Sequence, residues 1–213
     1  MAGGFVENPI SQGAGDPGLT LIETLGWTGT GFPRLPLHLA RLSLSARRLG
    51  WNCDPLAVET ALRRAAPNGP ARMRLTLDRQ GDLNVQSAPL PPTKPQWTLT
   101  LAPARLSSDD PWLTIKSSHR AQYDAARASL PPGRDEAILL NERDEVCDGT
   151  ITTLFFDRGQ GLRTPPLTCG LLPGVLRAEV AAPEEILLAR DLPNVRLWVG
   201  NSLRGLIPAL WSA

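Results

Sequence analysis

The pattern of hydrophobic and polar residues at the start of the chain predicts a strand followed by a helix. Residues 19–27 (LTLIETLGW) alternate between apolar and polar side chains over much of their length, as a strand with one buried face does. After a loop that contains glycine and proline, apolar residues recur at helical spacing at Leu35, Leu39, Leu42, Ala46 and Leu49. Glycine commonly ends a helix, so we expect this one to end at Gly50.

A second helix and a hairpin are predicted next. Asp54 can cap a helix start and Pro55 suits the first turn, which predicts a helix to about residue 66. Residues 71–78 and 83–87 are two strand-like runs separated by a short turn that contains glycine, a pattern typical of a hairpin. Arg72 and Arg74 share one face of the first run, because side chains on a strand repeat every second residue.

The second half of the chain is richer in strands. We predict strands at residues 97–102, 137–141, 146–156, 162–164, 184–188 and 195–199, and a short strand that carries Lys116. The strand at residues 146–156 is expected to be interrupted by Gly149. Helices are predicted at about residues 119–130 and for about two turns after Pro173 and Gly174. Because strands outnumber helices and the connections are short, we expect an α+β fold rather than a doubly wound sheet.

A proline-rich stretch divides the chain into two predicted domains. Residues 88–95 (APLPPTKP) contain four prolines, which makes this connection extended and stiff. We therefore place a small α+β domain at residues 19–90, a linker at 91–96 and a larger α+β domain at 97–213. Residues 1–18 are rich in Gly, Pro, Asn and Ser without periodicity, and we expect them to form a flexible N-terminal tail.

Composition argues against several classes of function. A net charge of +1 over 213 residues gives no electrostatic footprint for nucleic acid or an acidic membrane. No apolar run is long enough to span a bilayer, and residues 1–18 lack the features of a secretory signal. The three cysteines match no zinc pattern, and with two histidines we expect no metal site. A cytoplasmic protein with reduced thiols is the simplest expectation.

Lys116 is unusual because the chain uses arginine almost everywhere else for positive charge. Lys94 and Lys116 are the two lysines among 22 basic residues. Lys94 lies in the proline-rich connection, whereas Lys116 lies between Ile115 and a predicted helix start, where we expect partial burial. A buried lysine loses its charge easily and can form a Schiff base.

Polar residues on the first helix and on the hairpin leave two interpretations open. The helix carries a polar stripe made of His38, Arg41, Ser45 and Arg48. This stripe is either a solvated face or an edge that faces an anion, which arginine suits through its bidentate guanidinium group. The arginine pair on the hairpin leaves the same choice between a solvated face and a carboxylate pocket.

The remaining candidate residues fit one cofactor. Asp148 could pair with a protonated ring nitrogen, and free N–H groups at the helix that follows Gly174 could bind phosphate. Asn201 and Ser202 could add further donors. An amine, an acid and a phosphate cup are the parts that a pyridoxal phosphate (PLP) site needs, with scattered structural residues as the alternative. The chain has no GxGxxG, GxxxxGK[ST] or GxSxG motif, so it offers no support for dinucleotide, P-loop or serine hydrolase sites.

Seven segments that together span about residues 21–209 resemble one family. They are LIETLGW, FPRLPLHLARLSLSARRLG, RMRLTLD, IKSSHRAQYDAAR, DEAILLNERDEVCDGTITTLFF, TPPLTCGLLPGVLR and GNSLRGLIPA. In this order they resemble the class IV (fold type IV) PLP enzymes, which include branched-chain and D-amino-acid aminotransferases and aminodeoxychorismate lyase. The first two segments most resemble the lyase branch. The resemblance implies a smaller N-terminal α/β domain, a larger C-terminal mixed β-rich domain, and a homodimer with the site near its interface.

The resemblance also implies roles for nine residues. Lys116 matches the catalytic lysine that holds the cofactor as a Schiff base. Asp148 stands where the family has a glutamate that faces the ring nitrogen, and Thr153 stands where it usually has an asparagine. Arg74 lies near an arginine that meets the substrate carboxylate in some members. The residues that match the phosphate-binding positions are Arg41, Val175, Leu176, Asn201 and Ser202.

The activity implied by the resemblance is a lyase reaction of folate synthesis. It converts 4-amino-4-deoxychorismate to 4-aminobenzoate and pyruvate with PLP as cofactor. An aminotransferase that acts on branched-chain or D-amino acids with the same cofactor is the first alternative. A degenerate, non-catalytic member is the second alternative, favoured by the replacements at Asp148 and Thr153.

Overall fold

The computed structural model describes Ile10 and residues 13–212, and its first sheet contains three antiparallel strands. The strands are β1 (Leu21–Trp27), β2 (Ala71–Leu77) and β3 (Leu83–Ala88), in that spatial order. β1 pairs with β2 over its full length, from Leu21 opposite Leu77 to Trp27 opposite Ala71. In β2 the buried apolar residues alternate with Arg72 and Arg74, so the strand presents its two arginines on the face away from the core.

Two helices share one apolar core with this sheet. Helix α1 (Leu35–Leu49) ends as predicted at Gly50, whose φ of 70° lets its N–H reach the Ala46 and Arg47 carbonyls. Helix α2 (Pro55–Arg64) begins after Asp54, whose side chain accepts a hydrogen bond from the Leu56 N–H at 2.9 Å. Both predicted helices and the predicted hairpin are therefore confirmed.

The second sheet is larger and mixed. Its six strands lie in the spatial order β6-β5-β4-β9-β8-β7. Their bounds are β4 (Trp97–Leu106), β5 (Glu136–Asn141), β6 (Val146–Gly149), β7 (Thr153–Asp157), β8 (Arg196–Asn201) and β9 (Gly205–Trp211). β4 runs parallel to both of its neighbours, whereas the other three pairs are antiparallel. This arrangement confirms the α+β prediction.

Apolar groups cover both faces of the second sheet. β5 is buried over its full length: Ile138 and Leu140 enter one core, and Ala137 and Leu139 enter another. Helix α3 (Ala121–Ala128) packs on the second of these cores through Ala126. Helix α4 (Val175–Val180) packs between α1 and β8. Among the described residues, no helix combines the length and the apolar character needed to cross a lipid bilayer.

Three strand predictions are wrong in detail. No regular strand carries Lys116: residues Pro111–Thr114 form a 3₁₀ turn, and an extended link follows whose Ser117 makes a single bridge to Leu21. Residues 162–164 and 184–188 make only isolated bridges, because each segment meets its neighbours at single residues. The prediction also missed β9, which lies between β4 and β8. Pro208 weakens the sequence signal there because proline lacks the N–H that a strand needs.

The proposed domain boundaries remain a prediction, but two observations bear on them. Trp112 and Ile115 belong to the apolar core of the first sheet, although they follow the proline-rich connection. Ala14 is also buried in this core, so the described part of the proposed tail packs against the protein. The rest of that tail, residues 1–9 and 11–12, lies outside the described residues.

Candidate active site

A cavity of about 460 Å³ lies between the two sheets and receives side chains from both. The first sheet and α1 contribute one wall, and the link before α3, the β6–β7 connection, the start of α4 and the β8–β9 turn contribute the rest. All nine residues that the sequence singled out line this cavity. They are Arg41, Arg74, Lys116, Asp148, Thr153, Val175, Leu176, Asn201 and Ser202. Folding therefore brings together positions that lie up to 161 residues apart, from Arg41 to Ser202 (202 − 41 = 161).

Lys116 is held by backbone contacts to the first sheet. The Ile22 N–H donates to the Lys116 carbonyl at 2.8 Å, and the buried Ile115 anchors the preceding residue. The Lys116 amine has no hydrogen bond or ion pair within the described part of the chain. Burial, reinforced by the nearby Arg41 charge, lowers the pKa of Lys116 to about 8. A fraction of this amine is therefore neutral near physiological pH, as a nucleophile or a base requires.

Asp148 is the last residue but one of β6, lines the cavity and is 4% exposed. Burial raises the pKa of Asp148 well above its ordinary value, against the opposing effect of Arg177. Its Oδ1 atom is buried and has no hydrogen-bond partner in the described structure. A buried carboxyl oxygen without a partner is costly, so this atom is available for a cationic or proton-donating group in the cavity.

A buried glutamate shapes the turn that follows Asp148. The Glu136 carboxylate accepts hydrogen bonds from the N–H groups of Thr150 and Ile151 and from the hydroxyls of Thr150 and Thr152. A Cβ on Gly149 would collide with the Thr152 hydroxyl and the Glu136 carboxylate, so the chain needs glycine at this close approach. These contacts position Asp148 and Thr153 at the two ends of the turn.

The start of α4 lies close to the β6–β7 connection. A Cβ on Gly174 would come within 2.6 Å of the Thr153 hydroxyl, so the backbone approaches this side chain closely. Val175 and Leu176 follow as the first residues of α4. The first N–H groups of a helix have no partner within the helix and can bind an anion. The Thr153 hydroxyl and the start of α4 therefore lie close together.

Four side chains form a continuous hydrogen-bonded chain that the sequence analysis did not find. Glu23 of β1 accepts from Arg41 at 2.6 Å and 2.9 Å and from the His38 Nδ1–H at 2.6 Å. The other ring nitrogen of His38 lies 2.6 Å from the Ser202 hydroxyl. Although burial alone would raise its pKa, the charge of Arg41 and the hydrogen bonds lower the pKa of Glu23 to about 2. The signal available in the sequence was an acidic residue inside the apolar strand LIETLGW.

The lining of the cavity is also rich in arginine. Arg72, Arg74, Arg120 and Arg204 all line it. Arg120 is bound to Asp124 and to the Thr150 carbonyl. Arg72 and Arg74, by contrast, have no hydrogen-bond or ion-pair partner among the described residues. Burial lowers the pKa of Arg74, and the repulsion of Arg120 and Arg72 adds to this effect.

The described residues contain no group of three or more His, Cys, Asp or Glu side chains that could hold a metal ion. They do fit a pyridoxal phosphate molecule. The amine of Lys116 is partly neutral, the free Oδ1 of Asp148 suits a protonated ring nitrogen, and Arg41 with the start of α4 suits a phosphate.

Comparisons with known proteins agree with this fit. The family model described as amino-transferase class IV matches residues 20–210. A Schizosaccharomyces pombe protein named as a candidate aminodeoxychorismate lyase is 33% identical over 165 residues, which cover 74% of this chain and 71% of that protein. The structure of a candidate amino-acid aminotransferase from Mesorhizobium loti is 46% identical with a TM-score of 0.87, covering 91% of this chain and 100% of that one.

A PLP-bound structure has the same fold. It is a hypothetical aminotransferase from Mycobacterium tuberculosis, 20% identical with a TM-score of 0.72, and the match covers 89% of this chain and 80% of that one. The fold and the lysine-bearing cavity thus define a PLP-dependent enzyme. The chain belongs to the class IV aminotransferase family, which includes aminotransferases and aminodeoxychorismate lyases.

Proposed function

We propose that this enzyme is a 4-amino-4-deoxychorismate lyase, which releases 4-aminobenzoate and pyruvate and so serves folate synthesis. The observation that carries this proposal is the pair of unpartnered arginines, Arg72 and Arg74, on the cavity wall. The substrate has two carboxylates, one on the ring and one on the enolpyruvyl group. Arginine binds carboxylates through paired hydrogen bonds, so two free guanidinium groups match the two anionic groups of this substrate. The 33% identical relative that is named as a candidate lyase supports the same activity.

The proposed roles of the cofactor-binding residues follow from their positions. Arg41, Ser202, Asn201 and the backbone of Val175 and Leu176 hold the phosphate. Asp148 holds a proton at the ring nitrogen through its free Oδ1. Thr153 acts indirectly, because its hydroxyl lies close to Gly174 where α4 begins. When bound, PLP withdraws electrons from the carbon that carries the substrate nitrogen.

Lys116 is the proposed acid–base group of the reaction. Its amine takes the proton from the ring carbon that carries the substrate nitrogen. The bond between the neighbouring ring carbon and the enolpyruvyl oxygen then breaks, and the ring becomes aromatic. The proton is returned to the methylene carbon of the departing group, which leaves as pyruvate. Atoms and electrons balance without water, an oxidant or a second substrate. A pKa of about 8 lets the amine serve first as base and then as acid near neutral pH.

An aminotransferase is the second candidate function. The Mesorhizobium loti protein, 46% identical over 91% of this chain, is named as a candidate amino-acid aminotransferase. The same Lys116 and cofactor would serve that reaction, in which the amino group passes to a keto acid. Such an enzyme needs a keto-acid acceptor and shows ping-pong kinetics, whereas the lyase forms both products from one substrate.

The test is a product assay with purified protein, PLP and 4-amino-4-deoxychorismate. We expect equal amounts of 4-aminobenzoate and pyruvate without any keto acid. Lys116→Ala should abolish both the products and the absorbance of the lysine-bound cofactor. Lys94→Ala is the matched control, because the other lysine pairs with Asp135 on the surface and should leave both signals unchanged. Product that depends on an added keto acid would instead establish the aminotransferase.

Two further proposals rest on the family resemblance. The enzyme is proposed to act as a homodimer with the site near the subunit interface, and to work in the cytoplasm. Sedimentation analysis of the purified protein tests the first, with a single species of about twice the 23.0 kDa chain mass as the expected result. A monomer with full activity would overturn it.

A further inference from the structure

In the chain of side chains from Glu23 through His38 to Ser202, the last two members line the cavity, although His38 is almost completely buried. His38 is 1% exposed, and both of its ring nitrogens are engaged at 2.6 Å. Ser202 lines the cavity next to the residues proposed to hold phosphate. Because both ring nitrogens are engaged, a change in the protonation of the ring would alter the hydrogen bonds offered to the cavity through one hydroxyl group, that of Ser202.

The proton on one side of the His38 ring is determined by its partner. Glu23 is held ionised by Arg41, and a carboxylate can only accept hydrogen bonds. The Nδ1 atom of His38 must therefore carry a proton and donate it to Glu23. In the neutral ring, Nε2 is then bare and accepts the single proton of the Ser202 hydroxyl. The serine oxygen in that state offers only lone pairs to the cavity, which repel an anion.

A protonated ring reverses the direction of the last hydrogen bond. With a proton on both nitrogens, Nε2 donates to the Ser202 oxygen, and the hydroxyl proton is free to point into the cavity. We infer that His38 is a positioning residue that takes up a proton when the cofactor phosphate binds, and that this proton turns the Ser202 hydroxyl into a phosphate donor. The inference rests on the proposed position of the phosphate near Ser202.

The charged groups around His38 are compatible with a proton there. Glu23 on β1 is its direct partner, and Arg41 on the same helix is neutralised by Glu23. Arg34, which precedes α1, donates to the Ser202 carbonyl at 2.9 Å and pairs with Glu179 of α4. Lys116 lies on the link before α3, and its pKa depends on the charges of Arg41 and Glu23. A bound phosphate adds the negative charge that compensates a cationic ring.

The decisive measurement is the protonation state of His38 by nitrogen-15 NMR of histidine-labelled protein. The chain has two histidines, so His38→Gln and His119→Gln assign the signals. The full chain freed of cofactor is compared with the same chain saturated with 4′-deoxypyridoxine 5′-phosphate, which cannot form a Schiff base with Lys116. We expect a neutral ring with a bare Nε2 before binding and protons on both nitrogens after binding. A ring that is unchanged by the ligand, in either state, would overturn the inference.

An affinity measurement tests the same linkage independently. From about pH 7 to about pH 8.5 a phosphate monoester already carries nearly its full charge, so its own titration contributes little. One linked proton then weakens binding by up to about tenfold per pH unit. 4′-Deoxypyridoxine, which lacks the phosphate, should not show this additional pH dependence, and protons taken up because of the ring that both ligands share cancel in the comparison.

Variants separate the hydroxyl relay from a simple charge effect. His38→Gln should abolish the phosphate-specific pH dependence, and Ser202→Ala should remove most of it, whereas His119→Gln should retain it. Full retention in Ser202→Ala would show that the hydroxyl is not the relay and would overturn that part of the inference. If the wild-type protein does not bind the phosphate ligand at all, the proposed cofactor site is overturned as well. If it binds the ligand but His38 does not take up a proton, only the inference about His38 is overturned.

Discussion

Two carboxyl groups, Glu23 and Asp148, are buried to nearly the same extent but have pKa values shifted in opposite directions. They are 3% and 4% exposed. Glu23 accepts hydrogen bonds from Arg41 and His38, which favour its charge more than burial opposes it. Asp148 leaves Oδ1 without a partner, so burial dominates and favours its protonated form. The Glu23 carboxylate therefore finds its hydrogen-bond partners within the protein, whereas Oδ1 of Asp148 is left for a ligand.

The Asp148→Asn variant should be more stable than wild type without cofactor, yet less active with it. In the unfolded chain Asp148 ionises near 3.8, whereas in the folded chain it keeps its proton to higher pH. The folded state thus binds more protons, and this residue costs stability as the pH rises above 3.8. We expect a higher melting temperature for cofactor-free Asp148→Asn at neutral pH, with a difference that shrinks towards pH 4.

Activity should move in the opposite direction. A hydrogen bond to a charged group contributes about 1.5–3 kcal/mol, so product formation should fall roughly 10- to 150-fold in Asp148→Asn. Asp144→Asn, at an exposed turn position, is the control. A variant with unchanged activity would show that Asp148 does not contact the cofactor ring.

At the scale of elements, the hairpin of β8 and β9 and the short helix α4 fit closely around one glycine. A Cβ on Gly200 would collide with the Gly205 carbonyl oxygen and approach the Leu176 Cδ2 atom to 2.5 Å. Leu176 belongs to the proposed phosphate cup, and Asn201 and Ser202 follow Gly200 directly. The absence of a side chain at this position therefore allows the two proposed halves of the phosphate site to approach each other.

Gly200→Ala should separate these halves. Overpacking typically costs about 1–3 kcal/mol, and we expect a loss of this size in the free energy of unfolding together with weaker PLP binding. Gly31→Ala is the matched control, because a Cβ there has open space around it and should change stability by less than about 0.5 kcal/mol. Chemical denaturation and a PLP titration would measure both effects, and unchanged PLP affinity in Gly200→Ala would contradict the proposed arrangement.

At the scale of the whole molecule, the site exists because the two sheets meet. The Ile22 N–H bonds to the Lys116 carbonyl, His38 bonds to Ser202, and Arg41 donates to the Pro173 carbonyl at 3.3 Å. Glu23 organises two of these three contacts, since it holds both His38 and Arg41. The stability of the folded chain should therefore depend on the charge of Glu23.

Lowering the pH should weaken the contacts that Glu23 organises between the two sheets, over a pH range that its pKa defines. The folded pKa of Glu23 is depressed from 4.5 to about 2, so its stabilisation is complete above 4.5 and is lost as the pH falls towards 2. At neutral pH, Glu23→Gln should lose roughly 3 kcal/mol in the free energy of unfolding, which corresponds to this pKa shift. Urea denaturation at several pH values would measure the difference in the free energy of unfolding between the wild type and Glu23→Gln. This difference should become smaller as the pH is lowered.

A surface glutamate provides the comparison. Glu59 pairs with Arg63 one turn along α2, at a more exposed position. Exposed pairs of this kind contribute about 0.3–0.5 kcal/mol, so Glu59→Gln should have a small effect. Equal losses in the two variants would mean that the Glu23 network does not hold the sheets together.

Periodicity predicted the elements whose signals are local, and failed where the signal depends on neighbours. The apolar spacing of α1, the Asp54 cap of α2 and the hairpin were all readable, because each depends on residues close in sequence. β9 was missed because its strand character comes from pairing with β4 and β8, which overcomes the lack of an N–H at Pro208. Likewise, the conformation around Lys116 depends on contacts to β1 that no local pattern contains.

The sequence by itself determined the α+β class, the family resemblance and the nine residues proposed for the site, because residue type and order in motifs carry that information. Only the tertiary structure decided that these residues share one cavity and that Asp148 has an oxygen without a partner. It alone joined Glu23, His38 and Ser202, which are 15 and 164 residues apart along the chain. Burial and distance set the charge of each of these groups, and neither quantity exists before the chain has folded.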